Sequence, residues 1–118
     1  MLIGAGEAGR TLIQEIQNSR YLDQKICCVI DDNRRKIGRY ILGIRVVGDR
    51  NAIKRSVERY GIEQIIIAIP SAGSRKIRPI LEICKDTGCE LKILPGVYPE
   101  DLHISAWVYR RCYQFHCL

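Results

Sequence analysis

Apolar positions in this chain fall into short continuous runs separated by stretches with helical spacing. Met1-Leu2-Ile3, Lys25–Ile30 (Lys-Ile-Cys-Cys-Val-Ile), the span Ile62–Ile69 and Glu90–Leu94 have strand length. They are apolar nearly throughout, as strands covered on both faces must be. The first run is short for a central strand, so the sequence is expected to begin inside a larger protein. Between the runs, Leu12, Ile13 and Ile16 mark a helix over residues 7–19. Ile53, Val57 and Tyr60 mark a second, with Asp49 as its N-cap and Gly61 as its stop. Ile77, Ile80, Leu81 and Cys84 mark a third, ended near Gly88 and interrupted by Pro79, which lacks an N–H to donate. Residues 41–48 read as two short extended pieces around Gly43.

Strands alternating with helices of this length predict a parallel sheet with right-handed crossovers. The fold class is therefore α/β: a three-layer, Rossmann-like doubly wound parallel sheet. Its expected strand order is 3-2-1-4-5, numbering the predicted strands along the chain. The switch point lies between the first and fourth strands, and ligands bind at such points. The residues there carry a matching signal. Gly4-Ala5-Gly6-Glu7-Ala8-Gly9 follows a strand and opens a helix, and Asp31-Asp32 closes the next strand 22 residues after Gly9. A lone G-x-G-x-x-G is weak, but one in this setting is a nucleotide-binding fingerprint. The first glycine permits a tight turn, the second lets a pyrophosphate approach the backbone, and the third lets helix and strand pack closely. The helix start offers unpaired N–H groups and partial positive charge to the anion. Asp31 or Asp32 would accept from ribose hydroxyls, with adjacent Arg34 available to an extra phosphate. Across the crevice, the loop Pro70-Ser71-Ala72-Gly73-Ser74 would supply Pro70, Ser71 and Ser74. In the alternative reading the glycines only make the turn, and the serines only cap and turn the chain.

Composition narrows the picture without redirecting it. The chain has 118 residues, 47% hydrophobic and 27% charged, which suits one globular domain. No apolar run approaches the roughly 20 residues of a membrane span, and no signal segment precedes the glycines. A soluble, cytoplasmic domain is expected. The net charge of +6 is concentrated in residues 31–60, where nine basic residues meet four acidic ones. Such a patch suits nucleic acid, lipid headgroups or a phosphorylated ligand, or is simply a solvated face. No aromatic interleaving points to nucleic acid. The six cysteines form no C-x-x-C pair, and Cys112-x-x-x-His116-Cys117 lacks the four ligands of a structural metal site, so no metal is expected. Tyr21-Leu-Asp-Gln-Lys25 matches the Tyr-x-x-x-Lys acid/base pair of short-chain dehydrogenases, but it falls at the wrong end of the sheet. No catalytic residue is assigned.

The ordered blocks Gly-Ala-Gly-Glu-Ala-Gly-Arg, Val-Ile-Asp-Asp-Asn, Ile-Leu-Gly-Ile-Arg-Val-Val-Gly-Asp, Ile-Ile-Ile-Ala-Ile-Pro-Ser and Leu-Lys-Ile-Leu-Pro-Gly-Val-Tyr resemble the CapD-like polysaccharide biosynthesis proteins. These are nucleoside-diphosphate-sugar epimerases and dehydratases of bacterial envelope glycan synthesis. The resemblance covers residues 1–98 and implies their N-terminal Rossmann-like, "CoA-binding" domain. That segment often follows membrane helices and precedes a separate catalytic domain. It implies a non-catalytic accessory domain over residues 1–100, with a tail or truncated linker over residues 101–118. Its ligand would be an NAD- or NADP-like dinucleotide, CoA or a sugar nucleotide. The expected partners are that small molecule, a downstream catalytic domain in the parent protein and, as an open alternative, a second copy of the chain. A membrane would be met only through the parent. Two alternatives stand beside this reading: the N-terminal half of a sugar-nucleotide N-acyltransferase, and a nucleotide-sensing regulatory module.

Overall fold

The computed structural model describes residues 1–18, 24–69, 74–94 and 113–115. Its strands are β1 (Leu2–Ile3), β2 (Val29–Ile30), β3 (Tyr40–Ile41), β4 (Ile44–Gly48), β5 (Gln64–Ile67), β6 (Glu90–Ile93) and β7 (Tyr113–Phe115). Three helices accompany them, α1 (Glu7–Asn18), α2 (Ile53–Tyr60) and α3 (Ser74–Lys85), with a 3-10 turn at Arg50–Ala52 leading into α2. The sheet order is β3-β4-β2-β1-β5-β6-β7. The pairings among β4, β2, β1, β5 and β6 are parallel, so the five predicted strands stand in the expected 3-2-1-4-5 arrangement. Two antiparallel edge strands lie outside them, β3 against β4 and β7 against β6.

Strand residues alternate between two apolar layers, as period-two side-chain geometry requires. Leu2, Val29, Val46 and Ile66 pack with Leu12, Ile13 and Ile16 of α1 on one face. On the other, Ile3, Ile30, Ile65, Ile67 and Leu91 pack with Ile53 of α2 and Ile80 and Cys84 of α3. The neighbours Cys27 and Cys28 follow the same rule: Cys27 is exposed, whereas Cys28 is buried and its thiol pushed up by that burial.

Three expectations change. The strand predicted over Lys25–Ile30 is confined to Val29–Ile30, because the two ladder residues of β1 pair only with these and the register against β4 shifts between them. Asp49 caps the 3-10 turn that leads into the second helix rather than the helix itself, its side chain accepting from Asn51 N at 2.9 Å. The helix starts behind Ala52 and does end at Gly61 in the left-handed conformation. Its buried face, however, is Ile53 and Ser56, and Tyr60 is exposed beside Arg59. Finally, Tyr113–Phe115, read as part of a tail, forms the edge strand β7.

Candidate functional site

At the C-terminal end of β1 three elements meet without side chains between them. Gly4 has φ +117°, and a Cβ there would collide with the Ala68 carbonyl oxygen at the end of β5. A Cβ on Gly9 would collide with the Gly4 carbonyl oxygen and lie 3.4 Å from Leu2 Cδ2. These two glycines therefore let β1, the start of α1 and the end of β5 touch backbone to backbone. Gly6 differs: a Cβ there would meet nothing within 4 Å. Its neighbours Glu7 and Ala8 open α1, and Arg10 N donating to Gly6 O at 3.0 Å is a first-turn helical bond. Among the described residues no acceptor takes the N–H groups of Gly6, Glu7 or Ala8. The turn thus presents free amides to open space at a helix start, the arrangement that receives an anion.

The acids after β2 close one side of this turn. Asp31 Oδ2 accepts from Ala5 N at 2.7 Å, and Asp31 Oδ1 accepts from Asn33 N at 2.8 Å. Its carboxylate therefore occupies the first amide of the glycine turn and winds the following loop, leaving its second lone pairs for a ligand hydroxyl. Asp32 turns away. Both Nε and Nη2 of Arg50 donate to its Oδ2, at 2.9 and 2.7 Å, and Arg50 N donates to Oδ1 at 2.9 Å. Partial desolvation pushes the Asp32 carboxyl up, but the hydrogen bonds and charge of Arg50 outweigh it and hold it below the ordinary carboxylate range. Asp31 N also donates to Gly48 O at 3.0 Å, so the loops after β2 and β4 are tied together.

Of the two aspartates, Asp31 borders the turn and Asp32 is engaged by Arg50. Arg34 is exposed on the loop. The cation that reaches the turn is Lys36, whose Nζ donates to Ala5 O at 3.4 Å. The loop is wound by two Asx turns, at Asp31 and at Asn33, whose Oδ1 accepts from Arg35 N. The pattern Asp-x-Asn after a strand was the available signal for that winding, and it turns Lys36 rather than Arg34 inward. Pro70 and Ser71 lie outside the described residues. Ser74 is the first residue of α3. Lys25 lines a cavity of about 350 Å³ at the opposite end of the sheet, with Met1, Leu2, Gln24 and Gln64. Tyr21, the other residue of the Tyr-x-x-x-Lys match, is outside the described residues, as are Cys112, His116 and Cys117. Among the described residues no cluster of three or more metal-ligating side chains occurs, and no helix is long and apolar enough to cross a membrane.

Comparison with known proteins matches residues 1–95 to a CoA-binding domain family. The probable polysaccharide biosynthesis protein EpsC of Bacillus subtilis is 32% identical over 95 residues, 80% of this chain and 16% of that protein. The capsular polysaccharide biosynthesis protein CapD of Staphylococcus aureus is 31% identical over 98 residues, 82% of this chain and again 16% of the relative. The chain therefore spans about a sixth of their length. Among solved structures, UDP-D-quinovosamine 4-dehydrogenase from Vibrio fischeri superposes with a TM-score of 0.79 at 22% identity, covering 97% of this chain and 89% of that one. RSP, a Rex-family repressor solved with β-NADH, gives 0.68 at 18% identity, covering 92% and 54%. Perosamine N-acetyltransferase from Caulobacter crescentus, solved with CoA and GDP-perosamine, gives 0.57 at 20% identity, covering 83% and 41%. At these identities the structural likeness establishes the fold.

Proposed function

Because the chain belongs to the CoA-binding domain family, we propose that it binds the diphosphate of a nucleotide-type ligand on the Gly4–Gly9 turn. The ligand class is NAD(P), CoA or a sugar nucleotide. The domain serves a larger bacterial enzyme that modifies nucleoside-diphosphate sugars for envelope polysaccharide, and it is not catalytic by itself. The similarity to EpsC and CapD over this segment supports that setting. The observation that carries the binding reading is the open space over Gly6 beside the unpaired amides of Gly6, Glu7 and Ala8, set at a helix start.

In this reading the diphosphate sits on those three amides, because Asp31 already holds Ala5 N. Lys36 swings from Ala5 O to a phosphate oxygen, gaining a charge-assisted hydrogen bond. Asp31 accepts from a ribose hydroxyl with its remaining lone pairs. A phosphate on that ribose would face the Asp31 carboxylate, so unphosphorylated ribose is preferred. Arg34, exposed on the same loop, sits further out. Calorimetric titration of the chain with NADH, NADPH, CoA and a UDP-sugar tests this. Saturable binding, with NADH above NADPH, is expected; no saturation by about 1 mM of any of them removes the reading. The isolated chain should also leave NDP-sugars unchanged, and turnover would contradict the accessory role.

A further inference from the structure

The basic charge beyond Lys36 is unclaimed by the nucleotide site. Residues 33–48 contain Arg34, Arg35, Lys36, Arg39 and Arg45 and no acid. Lys36 is turned to the glycine turn, whereas Arg34, Arg35, Arg39 and Arg45 are exposed. Among the described residues none of these four has a carboxylate partner. They follow the rim of the sheet. The loop after β2 turns back into β3, the outermost strand, which runs antiparallel to β4 down to a two-residue turn at Leu42-Gly43.

That hairpin carries apolar surface where solvent would not favour it. Tyr40 is 68% exposed and Leu42 37%, two of the three exposed large hydrophobics among the described residues. Leu42 has φ +50° and Gly43 φ +85°, so both central positions are left-handed, as in a type I′ turn. Asn or Gly is the ordinary occupant of the first position, and a leucine there is strained as well as exposed. Tyr40 pairs across the hairpin with Arg45, so phenol and guanidinium share the outer face, while Ile44 points to the core.

We propose that the β3–β4 hairpin docks this domain edge-on against an anionic lipid surface. Leu42 and Tyr40 enter the headgroup layer, and Arg39 and Arg45, with Arg34 and Arg35 further along the rim, meet lipid phosphates. A hairpin tip carrying an exposed leucine and tyrosine beside arginines that have no carboxylate partner fits a planar, yielding anionic layer. A second copy would bring the same positive charge to the contact. A nucleic acid would gain from the arginines but not from an aliphatic apex.

The test is flotation of the full chain with phosphatidylcholine vesicles, with and without about 30% phosphatidylglycerol. Binding should require the anionic lipid and weaken with added salt. Each arginine near the surface contributes about fivefold, so the double variant Arg39→Gln/Arg45→Gln should bind about 30-fold more weakly. Arg78→Gln, which removes an exposed charge on α3, should bind like the parent. Leu42→Asn supplies the residue the turn prefers. It should bind more weakly while its melting temperature does not fall, which separates lost contact from lost fold. Four results would each overturn the proposal: no vesicle binding, equal binding to neutral vesicles, an unchanged double or Leu42→Asn variant, or binding to a single-stranded oligonucleotide or an acidic polypeptide in place of vesicles.

Discussion

Two glycines five residues apart in one helix–strand contact, and a third between them, give an experiment in which fold and binding come apart. Replace Gly9 by Ala and the new methyl lands on the Gly4 carbonyl, 3.0 Å from the carbonyl carbon and 3.4 Å from Leu2 Cδ2. Gly4 cannot retreat freely: its N–H donates to Ile30 O at 2.8 Å, and Ala68 O already fills the space where a Cβ on it would stand. Overpacking typically costs about 1–3 kcal/mol where neighbours can shift, and an obstacle made of ladder backbone places Gly9→Ala at about 3 kcal/mol. For a domain of this size that is a fall in melting temperature of about 12–24 °C. Replace Gly6 by Ala instead and the methyl meets no protein atom within 4 Å, so stability should hold or rise by about 0.4–1 kcal/mol. The same methyl would stand where the proposed diphosphate approaches, and affinity for NADH or CoA should then drop at least about tenfold, or 1.4 kcal/mol. Thermal and urea unfolding read the first quantity, and calorimetric titration the second. The reasoning fails if Gly9→Ala is as stable as the parent, or if Gly6→Ala binds nucleotide unimpaired.

Three more expectations can be checked on the same material. Asp31→Ala leaves the Ala5 and Asn33 N–H groups without their acceptor and should destabilise by about 1–3 kcal/mol in urea unfolding. Lys36→Met should leave the unfolding midpoint nearly unchanged and weaken nucleotide binding several-fold in titration, with a shallower salt dependence, since one cation is lost from the turn. The Asp32–Arg50 pair should be visible in acid. Its carboxyl is held below the unfolded value, so its stabilisation is fully present above pH about 4 and disappears as the pH falls through the depressed folded value. Both side chains are more than a third exposed, so the effect is small after solvent screening. Melting scans from about pH 5 to pH 2 should be flatter for Asp32→Asn than for the parent.

The sheet was legible because its strands are apolar on both faces, and that pattern survives whatever the loops do. The glycine turn was legible for a related reason: its spacing encodes backbone contacts, and Gly4 and Gly9 make them. What the pattern could not carry was the allocation of polar side chains among equivalent partners. Asp31 and Asp32 are indistinguishable in sequence, yet one carboxylate takes Ala5 N and the other Arg50, eighteen residues on. Likewise Arg34 and Lys36 are both near the site along the chain, and only the winding of the Asx turns selects Lys36. Tyr60 misled because helical spacing marks a stripe without saying how far the sheet beneath it extends.

The union of β1, α1 and β5 through bare main chain has a practical consequence for anyone wishing to redesign this domain. Parts bolted together without side chains leave nothing there to edit, and they tolerate no retouching. The loop from Asn33 to Lys36 is the reverse: it borders the same opening, is wound by short-range turns and contributes little to the interior. Ligand preference should therefore be interchangeable by swapping that loop alone, with the glycine joint serving as an invariant chassis.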